Sequence, residues 1–195
     1  DMMIPDVKNQ AKFKDIEYYL FDENPYIDEP YGPNWKDMQE LFFKAANIPD
    51  ERIHIMTSND WQDYDNKIRN AGGIDVMVIG LGYDGHFCGN CPRCTPFDSY
   101  TYCIDFKKKQ AVNPDYGDRP RQPHTLTMGP KSLMRVKHLV MIVNGKEKAE
   151  IFKRFLDEPV NQDVPATILK LHPNFTVICD QAAASLIDPQ QYSNL

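Results

Sequence analysis

Three near-continuous apolar runs constrain this chain more than any other feature: Ile74-Asp75-Val76-Met77-Val78-Ile79, Leu139-Val140-Met141-Ile142-Val143 and Phe175-Thr176-Val177-Ile178-Cys179. A strand with one wet face alternates apolar and polar residues, whereas a strand covered on both faces, as in a parallel sheet, loses the alternation. Helical material lies between the runs, at Lys146 to Leu156 and from Pro165, well suited to a first helical turn, to Leu171. Strands alternating with helices predict an α/β fold, a Rossmann-like, mostly parallel sheet with helices on both faces. An earlier strand is expected over Ile16 to Phe21, followed by a turn-rich acidic loop with Pro25, Pro30, Gly32 and Pro33. Asn34 is placed to cap a helix whose Trp35, Met38, Leu41, Phe42 and Ala45 form a core stripe. A second helix, from about Asn59 to Ala71, sets Trp61, Tyr64 and Ile68 on one face before Gly72-Gly73 stops it. Tyr100, Tyr102, Ile104 and Phe106 alternate with polar residues as a half-exposed strand, and residues 110–123, punctuated by Pro114, Gly117, Pro120 and Pro123, read as a surface loop.

Length and charge narrow the function classes. At 195 residues the chain is expected to form a single domain over residues 1–195. With 28 acidic against 22 basic residues there is no overall basic field, which argues against nucleic acid as a partner. The apolar runs are a handful of residues long, far short of the ~20 that a membrane helix needs. Five cysteines, an odd number in a chain of this length, read as reduced thiols in a cytoplasmic protein and not as a disulfide framework. The start, Asp1-Met2-Met3, does not read as a secretory leader.

In parallel sheets ligands bind beyond the carboxyl ends of the strands, and three segments leave strands in this way. After the Val76 strand comes Gly80-Leu81-Gly82-Tyr83-Asp84-Gly85-His86, where a carboxylate two residues from an imidazole can orient it for general acid/base work. Asp84-Gly85 can equally be a plain tight turn. Gly80 and Gly82 allow a ligand to approach the backbone, but Phe87 to Pro92 does not read as a helix, which disfavours a dinucleotide site. Asp22 and Glu23, after the first strand, suit a proton-transfer base and its helper, or else a solvated acidic loop. Lys146 and Lys148 begin a helix, where they can hold an anion such as phosphate or simply be solvated. Cys88, Cys91 and Cys94 have spacings used for zinc or iron-sulfur clusters, but Phe97-Asp98 stands where a bacterial cluster run needs its next cysteine, so no metal is expected. His172-Pro173 reads as a packed histidine at a helix end.

In order and spacing, Gly80-Leu-Gly-Tyr-Asp-Gly-His86, Thr125-Leu-Thr-Met-Gly129, Gly145-Lys-Glu-Lys-Ala149, Leu169-Lys-Leu-His-Pro173 and Val177-Ile-Cys-Asp180 resemble the glucosamine-6-phosphate deaminase and 6-phosphogluconolactonase family, from about Phe13 to Ala183. Leu-x-Leu-His-Pro is similar to the deaminase branch, and His86-Phe-Cys-Gly-Asn90 with Thr127-Met-Gly-Pro-Lys-Ser132 to a bacterial subgroup of it. The resemblance implies an enzyme that works by general acid/base chemistry at C1 and C2 of a hexose or hexosamine 6-phosphate. Its partner would be that small-molecule sugar phosphate, with no cofactor and no metal, and a homo-oligomer is compatible with it. Asp22 would be the base that moves a proton between C1 and C2. His86, assisted by Asp84, would open the pyranose ring, and Glu23, Gly80, Gly82 and Lys148 would bind substrate, Lys148 at the 6-phosphate. Lactone hydrolysis by His86-activated water, and a non-catalytic sugar-phosphate-binding protein, are the alternatives. Two departures stand out. The deaminase triad ends in a glutamate where this chain has Cys91, and residues 1–15 match neither the family's phosphate loop nor its first strand. The expectation is a fold lacking the N-terminal strand-loop-helix unit.

Overall fold

A computed structural model describes residues 3–105 and 120–192; residues 106–119, where the sequence puts most of the surface loop and the last residue of an alternating strand, lie outside the described residues. The elements run α1 (Ile4–Asn9), β1 (Tyr18–Tyr19), β2 (Asp22–Glu23), α2 (Pro33–Met38), β3 (Ile53–His54), α3 (Tyr64–Asn70), β4 (Val76–Gly80), β5 (Tyr102–Asp105), β6 (His124–Thr127), α4 (Pro130–Leu133), β7 (His138–Val143), α5 (Ala149–Asp157) and β8 (Phe175–Cys179). The architecture is mixed α/β, with parallel pairing of β1 with β3, β4 with β7 and β7 with β8. Two compact units divide it: Asp1–Trp61 with Cys103–Leu126, and Gln62–Tyr102 with Thr127–Leu195.

In the first unit the expected strand over Ile16 to Phe21 shrinks to Tyr18-Tyr19, in register with Ile53-His54. Asp22-Glu23 does not begin a loop; it forms β2 in a separate three-stranded sheet of order β2-β6-β5. The helix after it also departs from expectation. Residues Gln39–Phe43 continue α2 as a wider π-turn, with Lys44 N donating to Gln39 O at 3.1 Å. Each π-turn inserts about one residue and rotates the rest of the helix about its axis. Phe43 and Ala46 therefore turn inward beside Leu20 and Ile48, while Met38, Leu41 and Ala45, expected in the core, are exposed. Tyr18 meets the Phe42 and Phe43 rings edge-on at 5.9 and 5.8 Å.

In the second unit β7 is the central strand, pairing Val76 to Gly80 with His138 to Ile142 on one side and Leu139 to Val143 with Phe175 to Cys179 on the other. Met77, Ile79, Leu139, Met141 and Val143 line one face and are buried, as are Ile151, Phe152 and Phe155 of α5. Burying each such side chain stabilises the fold by about 1.5–3 kcal/mol. The strands' texture predicts cover on the opposite face too, yet there Val76, Val78, Ile142 and Ile178 are 56, 51, 43 and 54% exposed. Gly72 and Gly73 take positive φ of 95 and 91°, and Gly73 N closes onto Ile68 O, ending α3 where the sequence predicts. No described helix is long and apolar enough to cross a membrane.

Candidate functional site

The loop that leaves β4 folds on itself. Gly82 N donates to His86 O at 2.8 Å and Gly85 N to Gly82 O at 3.0 Å, with Gly85 at φ 88°. A side chain on Gly82 would fall 2.0 Å from His86 Nδ1, and one on Gly85 would fall 2.8 Å from Val164 Cγ1, so both positions need glycine. The space beside Gly80 is open, with no atom within 4 Å of where a Cβ would stand. Asp84 Oδ1 accepts both from His86 Nδ1, at 2.6 Å, and from the His86 backbone N–H, at 3.1 Å. Because a carboxylate only accepts, Nδ1 carries the proton and Nε2 is left as the basic nitrogen. Burial pushes the Asp84 carboxyl up, but the His86 hydrogen bonds and charge outweigh it and hold Asp84 below the usual carboxylate range.

Lys148 belongs to the same assembly. Its segment, Lys146–Lys148, follows β7 through Gly145, which has φ 93°, and leads directly into α5. Lys148 Nζ donates to Leu81 O and lies 3.5 Å from the centroid of the exposed Tyr83 ring. Desolvation lowers its pKa, against the opposing charges of Glu147 and Asp84. Of the residues singled out from sequence, Gly80, Gly82, Asp84, His86 and Lys148 are thus drawn around one loop in the second unit. Behind it Gly89 N donates to Thr127 Oγ1 at 3.0 Å, and buried Asn90 donates to Met128 O at 2.8 Å. These bonds join two motifs separated by 38 positions.

Asp22 and Glu23 sit in the first unit and are held differently. Glu23 is 1% exposed, and its carboxylate accepts N–H groups from Asn24 at 2.7 Å, Asn34 at 3.2 Å and Trp35 at 2.9 Å. Desolvation raises its pKa, while the N–H groups of Trp35, Asn24, Gly32 and Asn34 pull the other way. It therefore caps α2, which has Gly32 at the cap position and Pro33 at the first turn. Asn34, expected as the cap, instead turns its amide to Asp22, donating to Oδ1 at 2.8 Å and to the main-chain O at 3.1 Å. Its role carries no local sequence signal because both partners are 11 or 12 residues away.

His172, Cys91 and Cys94 lie against main-chain groups. His172 is buried, accepting at Nδ1 from Asn174 N and therefore donating from Nε2 to Val136 O at 2.9 Å, as the reading of a packed histidine requires. Cys91 is buried with its thiol 3.5 Å from Gly89 O, and Cys94 lies 3.4 Å from Cys91 O. No three His, Cys, Asp or Glu side chains gather as metal ligands among the described residues.

Comparison with known proteins places these features in context. Residues 3–178 match the model of the family "Glucosamine-6-phosphate isomerases/6-phosphogluconolactonase". The chain is 34% identical over 181 residues to a glucosamine-6-phosphate deaminase of Clostridium acetobutylicum, covering 88% of this chain and 72% of that one. It is 37% identical over 196 residues to one from Geobacillus sp. strain WCH70, covering 94 and 77%. Among solved structures, a monomeric glucosamine-6-phosphate deaminase superposes with a TM-score of 0.79 at 26% identity, covering 95% of this chain and 81% of that one. The 6-phosphogluconolactonase of Trypanosoma brucei gives 0.69 at 16% identity, with 96 and 82% covered, a likeness of fold alone.

Proposed function

The chain belongs to the glucosamine-6-phosphate isomerase and 6-phosphogluconolactonase family, and from that premise we propose that it is a glucosamine-6-phosphate deaminase. The observation that carries the reading is the Asp84–His86 pair, 2.6 Å apart in a glycine turn that also meets Lys148. With Nδ1–H on Asp84, His86 Nε2 takes the proton of the sugar's O1 hydroxyl and returns one to the ring oxygen, opening the ring. Asp22 then removes the C2 proton and delivers it to C1 through an enolamine intermediate, hydroxyl on C1 and amine on C2, leaving an imine at C2 that water hydrolyses to the ketose and ammonia. Lys148 holds the 6-phosphate as a point charge, Gly80 admits the substrate to the backbone, Gly82 contributes to the substrate site by making room for the His86 ring, and Glu23 acts by holding the segment around Asp22. In this reading residues 1–195 are a single sugar-phosphate domain working in the cytoplasm.

Lactone hydrolysis is the second reading, favoured by one observation: the position of the triad glutamate holds Cys91, a buried thiol directed at a carbonyl. Ammonia release from glucosamine 6-phosphate, measured beside hydrolysis of 6-phosphogluconolactone, separates the two. Deamination is expected, and Asp22→Asn is expected to lower its kcat by about 10²–10⁴. Lactone hydrolysis without ammonia release overturns the deaminase reading, and inactivity on both with retained sugar-phosphate binding points to a sensor. Full turnover in Asp22→Asn removes Asp22 as the base.

A further inference from the structure

Asn34 stands on the second residue of α2, but its side chain serves a strand twelve positions earlier, donating to Asp22 Oδ1 at 2.8 Å and to Asp22 O at 3.1 Å. Two bonds from one amide fix both the main chain and the carboxylate of that residue. Asn34 is itself fixed, since Glu23 accepts its backbone N–H and that of Trp35 with a carboxylate that is 1% exposed. The corner between them has no slack. A side chain at Gly32 would fall 1.9 Å from Asn24 O and 2.7 Å from Glu23 Oε1. Glu23 therefore sets the start of α2, and α2 sets where the Asn34 amide meets Asp22.

We infer that Asn34 is a positioning residue for the proton-transferring carboxylate of Asp22, with Glu23 as its anchor. The inference rests on the proposed role of Asp22 as base. An N–H donated to one carboxylate oxygen selects a single side-chain rotamer. Proton abstraction from carbon depends on that geometry, where a displacement of about 1 Å can cost ~10²-fold in rate. Substrate affinity does not depend on it in the same way, so the effect belongs in kcat.

The test is a double-mutant cycle on ammonia release with Asn34→Leu, which has nearly the shape of asparagine but no donor, alone and combined with Asp22→Asn. Asn34→Leu is expected to lower kcat about tenfold to a hundredfold with KM changed by less than about twofold. In the Asp22→Asn background the same change is expected to cost less than about twofold, because nothing remains to be positioned. Asn34→Ser, which keeps a donor and the backbone N–H on Glu23, is expected to recover part of kcat, and it replaces Asn34→Leu if that variant does not fold. An Asn34→Leu kcat within twofold of wild type, or a loss that simply multiplies with that of Asp22→Asn, overturns the inference and leaves the base reading standing. A wild type that releases no ammonia, or an Asp22→Asn variant at full turnover, overturns the base reading and the inference with it.

Discussion

Asp22–Glu23 in the first unit and Asp84–His86 in the second are both pairs of titratable residues set by strands, and they are held in opposite ways. Glu23 is almost fully buried and clasped by backbone N–H groups, and Asp22 is held by an amide from the helix that Glu23 caps. The Asp84 and His86 side chains are 35 and 41% exposed and hold each other, with glycines supplying the turn that lets them meet. The first arrangement is built into the fold and should fail as a unit when broken. The second is a local device whose loss should disturb chemistry more than stability.

Four measurements sharpen or break that contrast. Glu23→Ala strands several backbone donors at the start of α2. Hydrogen bonds to charged groups contribute about 1.5–3 kcal/mol each, so a loss of roughly 3–5 kcal/mol in urea-monitored stability is expected, against less than about 1 kcal/mol for Asp84→Ala, whose partner is solvent-screened. Equal losses would abolish the distinction. Gly82→Ala drives a methyl into the imidazole; a kcat reduction of about a hundredfold is expected with a stability change of less than about 1 kcal/mol. An active Gly82→Ala would mean that the His86 position is not the one that matters.

The pH dependence should also differ in sign. Asp84 has a depressed carboxyl pKa, so its pairing stabilises the fold above the ordinary carboxylate range and is lost as pH falls through the depressed value. Glu23 has a raised pKa, so the favourable contribution of its protonated form is full below the ordinary value and disappears as pH rises through the raised one. Comparing urea midpoints from pH 3 to 7, Asp84→Asn should remove stability only towards the upper end, while Glu23→Gln should flatten the decline as pH rises. Matching slopes in the two variants would contradict this assignment. The smallest effect belongs to Cys91→Ser: the thiol lies 3.5 Å from the Gly89 carbonyl and serine keeps a donor there, so kcat is expected to stay within about twofold. A loss beyond tenfold would put the thiol in the chemistry.

Legibility in the sequence tracks the range of the interactions. The α/β class, the three parallel strands and the glycine stop of α3 were readable because periodicity and glycine placement are local. The Asp84–His86 pair was readable for the same reason, since two residues of spacing and an intervening glycine nearly fix its geometry. In the helix after Asn34, Trp35 and Phe42 pack against the core as the periodicity predicts, but Leu41 and Ala45 do not, because the π-turn at Gln39–Phe43 brings Phe43 and Ala46 in beside Leu20 and Ile48. Glu23 reads as a helper of Asp22 and a substrate contact, or else as a solvated loop acid, because nothing in its neighbours announces that a helix eleven residues on will close over it.

The amino-acid sequence by itself determined the family, the α/β class with its three parallel strands and the turn that pairs Asp84 with His86, all carried by short spacings and apolar patterning. Only the tertiary structure decided that Lys148 lies against Leu81 and Tyr83, that Glu23 is a buried cap, and that Asn34 serves Asp22. Those are contacts between segments 11 to 67 residues apart, and a side chain's partner at that distance is chosen by packing and by the need to satisfy buried polar groups.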